Sequence, residues 1–135
     1  MHEILFRGKR AENDEWVKGF YVCVPDTHYI MTGKFDSLTN GIINSEAYKV
    51  GFSTVGQFTG LCDKNGTKIF EGDIVRYGDT IHRVVFEQRN GTAYFGLVYA
   101  AYETLPFGHY QDLKQIEVIG NIYDNPELLE VSKND

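Results

Sequence analysis

Cys23, Cys62, His28, His82 and His109 are the side chains best suited to bind a soft metal or to drive nucleophilic chemistry. A zinc site needs several such ligands converging, and its mark in a sequence is a close pair such as Cys-x-x-Cys. None of the five sits in one. Cys62 would need an imidazole nearby to act as a nucleophile. It has none in its own stretch, so an inert thiol is expected. Asp79 and His82 could form an acid–base pair across a turn. The ordinary alternative, a solvated turn carboxylate beside a strand histidine, accounts for that spacing as well. The stretch Gly56-Gln57-Phe58-Thr59-Gly60 lacks the glycine spacing and the Lys-Ser/Thr that cradle phosphate. No catalytic residue, no metal and no cofactor is therefore expected.

Binding chemistry has a little more to work with. Arg7, Lys9, Arg10 and Lys18 run close to Phe6, Trp16, Phe20 and Tyr21, and single strands are held by positive charge plus stacking. Glu3, Glu12, Asp14 and Glu15 are interleaved with them, so the reading here is a mixed, solvated hairpin. Thirteen basic and nineteen acidic residues give a net charge of −6, which disfavours general nucleic-acid binding. A second cluster lies in residues 99–110, where Tyr99, Tyr102, Phe107 and Tyr110 crowd a stretch broken by Pro106 and Gly108. Either this loop folds back as a plug, or Tyr102, Phe107, His109 and Tyr110 meet another chain, since aromatics anchor interfaces. Self-association would hide such a loop most simply, so a homo-oligomer is expected.

The elements that must position these groups are strands. Nineteen aromatic residues stand beside many Val, Ile and Thr in 135 residues, while Ala and Leu are few. Side chains that are bulky near the backbone suit pleated sheets. Strands are expected at 3–7, 15–24, 28–31, 55–59, 69–70, 74–77, 81–87, 92–99 and 116–123. In 81–87, His82, Val84 and Phe86 share one face and Ile81, Arg83 and Val85 the other. Residues 33–47 read as a long loop or a mobile hairpin. Asp124-Asn125-Pro126 opens a short C-terminal helix. The N-terminus has no apolar core of a signal peptide, and no run approaches a membrane span. Two cysteines make no disulfide framework. A cytoplasmic protein with no membrane contact is expected.

Two stretches go further. One runs Val55-Gly56-Gln57-Phe58-Thr59-Gly60-Leu61-Cys62-Asp63-Lys64-Asn65-Gly66-Thr67-Lys68-Ile69-Phe70-Glu71-Gly72-Asp73-Ile74-Val75. The other is Glu117-Val118-Ile119-Gly120-Asn121-Ile122-Tyr123-Asp124-Asn125-Pro126-Glu127-Leu128-Leu129. With Phe6-Arg7-Gly8-Lys9 and Trp16-Val17-Lys18-Gly19, they make the chain resemble the YopX family of phage and prophage proteins. It departs at Cys62, where a charged or polar residue is more usual. The resemblance implies an all-β fold, an SH3-like small barrel in the second half, and a phage or prophage source. It carries over no catalytic residue. The residues agree with it, since Glu71-Gly72-Asp73 reads as a tight bend in which Asp73 accepts backbone N–H bonds before Ile74 and Val75 start a strand.

The expectation is thus an N-terminal β subdomain at 1–50 and an SH3-like barrel with a C-terminal helix at 51–135, together one compact unit. Its expected role is a non-enzymatic protein-binding or assembly module in a phage or prophage, with an unknown phage or host protein as partner. The alternative is a nucleic-acid-associated phage factor, which a contiguous positive surface with exposed aromatics would promote.

Overall fold

A computed structural model describes residues 3–89, 91–99, 104–107 and 113–129, with the side chains of 34–36, 42–44 and 89 left aside. The fold is mostly β. The strands are β1 (Phe6–Lys9), β2 (Trp16–Cys23), β3 (His28–Asp36), β4 (Gly41–Lys49), β5 (Gly56–Cys62), β6 (Lys68–Phe70), β7 (Asp73–Tyr77), β8 (Thr80–Arg89), β9 (Thr92–Val98), β10 (Thr104–Pro106) and β11 (Ile116–Asn121). They form two sheets, ordered β4-β3-β2-β1-β5-β6 and β10-β9-β8-β7-β11. All the pairings with a described register are antiparallel. In the second sheet β10 and β11 stand at opposite ends, so the sheet is open where a closed SH3-like barrel was expected. A helical turn at 127–129 follows Pro126.

The chain divides into two compact units, Met1–Phe58 and Thr59–Asp135. The first contains β1–β4 and the start of β5, where Arg7 pairs with Gly56 and Phe6 with Gln57. Of the two readings of residues 33–47, the hairpin holds and the long loop does not: β3 continues to Asp36 and β4 returns from Gly41, with Asn40 turning at φ 56°. A register shift between Thr32 and Lys34, at Gly33, breaks the side-chain alternation that marks a strand in a sequence. Ile30 and Val50 are buried on one side of this sheet.

The second unit is built on Ile69, Val75, Val84, Leu97 and Ile116, all essentially sealed from solvent. Val75 and Val84 lie on adjacent strands, as Val84 and Leu97 do. Burying each such side chain contributes about 1.5–3 kcal/mol. Tyr77, Tyr99, Phe107, Leu113 and Val118 pack around this cluster. The alternation expected in β8 holds, with His82 and Val84 buried and Arg83 exposed.

Candidate functional site

The groups that could do chemistry are held by the fold. Asp63 is buried in the turn between β5 and β6. Its Oδ1 accepts the N–H groups of Asn65 and Thr67, each at 2.9 Å, and its Oδ2 accepts that of Val118 at 2.9 Å. Burial alone would raise the carboxyl's pKa. The Val118, Thr67 and Asn65 donors and the nearby Lys64 charge outweigh burial and hold it below its ordinary value. Asp73 is buried, and its Oδ2 accepts the Phe70 N–H at 2.8 Å. This is the structural role expected for the Glu71-Gly72-Asp73 bend.

His82 does not face Asp79. Its Nδ1 lies 2.9 Å from the Val98 carbonyl and its Nε2 2.7 Å from the Thr80 hydroxyl, while Asp79 is exposed. The carbonyl can only accept, so Nδ1 carries the proton; the Thr80 hydroxyl has one proton to offer and also lies 2.9 Å from the Tyr77 carbonyl. The ring packs 4.1 Å from Tyr99, centroid to centroid. Burial lowers its pKa and favours the neutral ring, outweighing the Val98 bond, which raises it. Cys23 and Cys62 are exposed free thiols. Among the described residues no His, Cys, Asp and Glu cluster could hold a metal. A shallow cleft of about 290 Å³ is lined by Lys64, Arg76, Lys114 and Glu117, but Glu117 already pairs with Lys64 at 3.3 Å and Arg76 at 3.7 Å.

The described surface with an uneven chemistry is one face of the sheet in the first unit. Directly opposed residues of paired strands share a face. Register opposes Arg7 to Lys18 and Lys9 to Trp16, then Phe20 to Met31 and Tyr29 to Lys49. Alternation along β1, β2 and β3 places these residues on the same side. Phe6 and Tyr21 meet on the other side, 5.4 Å between centroids, as that alternation requires. The Arg7 guanidinium lies 4.7 Å and the Lys9 ammonium 5.5 Å from the Trp16 ring centre. Phe20 is 54% exposed, and Lys18 and Lys49 are exposed.

β1 and β2 contain no carboxylate. Glu46 opposes Thr32 and so falls on the other face, where Tyr48 hydrogen-bonds to it. Glu12 and Glu15 pair with Arg10 at 3.2 and 3.9 Å, and Arg10 stacks on Tyr48. Of the acids expected to dilute the basic residues, Glu12 and Glu15 lie outside the strands and pair with Arg10. Of the expected interface residues, Phe107 packs against the core of its own unit, and Tyr102, His109 and Tyr110 lie outside the described residues.

The family motifs can be read in the same geometry. At Gly72, φ is 93°, and a Cβ would sit 3.1 Å from the Tyr123 ring. At Gly120, a Cβ would collide with Asn125 Oδ1 at 2.6 Å. Asn121 Oδ1 accepts the N–H groups of Tyr123 and Asp124 at 3.0 and 2.9 Å. These residues shape turns. A family model described as YopX protein matches residues 5–130. The chain belongs to the YopX family. No curated protein matches it. Among solved structures, the crystal structure of protein EF1440 from Enterococcus faecalis is similar, with 26% identity over 96% of this chain and 99% of that chain and a TM-score of 0.49. Among the described residues of this YopX chain, no helix is long and apolar enough to cross a membrane.

Proposed function

We propose that this YopX protein is a non-enzymatic binding module that acts, in a phage or prophage, through contacts with a partner. The observation that carries this reading is where the reactive groups go. Asp63 and His82 spend their polar atoms on the backbone and on Thr80, and Asp73 braces the Phe70 bend. Meanwhile, exposed Phe20, Lys18 and Lys49 share one sheet face. The open five-stranded sheet of the second unit serves as an SH3-like scaffold in this reading. The protein works in the bacterial cytoplasm as a homo-oligomer.

A protein partner is the first form of this reading. The second form, a nucleic-acid-associated factor, is favoured by the segregation of charge on β1–β4. Affinity capture during phage induction tests the common element. A partner retained in stoichiometric amount by the wild type and lost from a Lys18→Glu/Phe20→Ala double variant supports it. Capture indifferent to that variant contradicts it.

A further inference from the structure

We propose that Thr80 is a hydrogen-bond toggle through which the buried His82 ring takes up and releases a proton while the chain stays folded. Four groups stand in one line. The Tyr77 carbonyl lies 2.9 Å from the Thr80 hydroxyl, that hydroxyl 2.7 Å from His82 Nε2, and Nδ1 of the same ring 2.9 Å from the Val98 carbonyl. The line runs from the β7–β8 turn to the last residue of β9. Both its ends are carbonyls, which only accept. With the ring neutral, Nδ1–H meets Val98, and the one hydroxyl proton serves Nε2 or Tyr77 but not both. With one more proton, Nε2–H donates to the hydroxyl oxygen and the hydroxyl turns to Tyr77, so all three links are made. The line is one proton short of complete, and the Thr80 hydroxyl rotates to match each state.

Thr80 is exposed while His82 is 5% exposed, so the hydroxyl joins the buried ring to solvent. The Tyr99 ring, 4.1 Å away, lies within cation–π range of the charged imidazole. His82 opposes Val75 on β7, and the titratable groups on that face of β7 are Asp73, which accepts the Phe70 N–H, and Tyr77. From β9 the titratable group is Tyr99 itself. On β8, Arg83 lies on the opposite face, as do Arg76 of β7 and its partner Glu117 of β11. Asp79 is exposed in the turn, and at 113–115 Leu113 packs on the core while Lys114 is exposed. Among the described residues, burial is what opposes the charged ring, and the Val98 bond favours it. Acidification thus closes the hydroxyl onto Tyr77 and tightens the β7–β8 turn, where Gly78 stands at φ 60°.

Side-chain ¹⁵N NMR of the full chain, from about pH 7.5 to about pH 4, brackets the ordinary histidine value and tests the toggle. The neutral ring is expected to be the Nδ1–H tautomer, and to gain its second proton with amide dispersion retained. The Tyr77 carbonyl ¹³C and Thr80 amide shifts are expected to follow the same midpoint. Thr80→Val takes the hydroxyl acceptor from the charged ring's Nε2–H. Hydrogen bonds of a charged group are the stronger ones, so the midpoint is expected to fall by about one pH unit. Thr80→Ser keeps the hydroxyl and is expected to restore the midpoint. If Thr80→Val does not fold, the wild-type titration carries the test by itself. An Nε2–H tautomer, protonation that coincides with lost amide dispersion, or a Tyr77 carbonyl unmoved at the ring's midpoint overturns the proposal. A Thr80→Val midpoint equal to or above that of the wild type overturns it as well.

Discussion

Replacing Asp63 by Ala tests the link between the β5–β6 turn and β11. The carboxylate accepts three backbone N–H groups, one from Val118, 55 residues away. A hydrogen bond to a charged group contributes about 1.5–3 kcal/mol. Asn65 and Thr67 are exposed, so water can replace two of the three acceptor contacts, while the partly buried Val118 N–H loses most. The expected loss is about 2–4 kcal/mol, a large share of a typical stability of about 5–15 kcal/mol. Asp63→Asn keeps an oxygen but turns an N–H toward one donor and removes the charge; about 1–2 kcal/mol is expected. The acid limb follows from the pKa. The folded-state value lies below the unfolded one of about 3.9, so the carboxylate's contribution is complete above that pH and fades as pH falls through the folded value. Urea unfolding at pH 7 and pH 3 measures both effects. The wild type should lose part of its advantage over Asp63→Asn at pH 3. An Asp63→Ala loss under about 0.5 kcal/mol, or an advantage over Asp63→Asn that is equal at both pH values, refutes the reasoning.

Burial depresses the pKa of His82, so the neutral ring's contribution is complete above the unfolded value of about 6.5 and is lost as pH falls below it. Its NMR titration should remain on the neutral side at pH 6.5, and a midpoint at or above that value contradicts the assignment. Gly72→Ala places a side chain at φ 93° against Tyr123 and should cost about 1–3 kcal/mol, read by thermal unfolding. Light scattering should give a mass of at least twice 15.4 kDa, and a monomer's mass contradicts the homo-oligomer. Phe107→Ala should lower the melting temperature through lost core packing, while Tyr102→Glu or Tyr110→Glu should shift the mass if residues 99–110 lie at the contact.

The sequence made local features legible where one residue type settles the backbone. Gly72 and Asp73 announced their bend, and His82, Val84 and Arg83 announced the two faces of β8. Residues 33–47 were opaque because Gly33 carries a register shift that disrupts alternation. The candidate surface was half legible. Arg7, Lys9, Lys18, Trp16 and Phe20 stood out as types, but so did the acids among them. Only the pairing of Arg7 with Lys18 and of Lys9 with Trp16 gathers these cations on one face. A slip of one residue would reverse that sorting, and no local pattern fixes it. Lys49 joins the face at the end of β4, just beyond the stretch whose sequence fits either a long loop or a hairpin.

A ¹H–¹⁵N chemical-shift map of labelled protein titrated with the captured partner measures the working surface most directly. Saturable shifts clustered on Lys9, Trp16, Lys18, Phe20, Tyr29 and Lys49 are predicted. Shifts confined to Thr59–Asp135, or none at all at saturating partner, would contradict the reading of β1–β4 as the contact face.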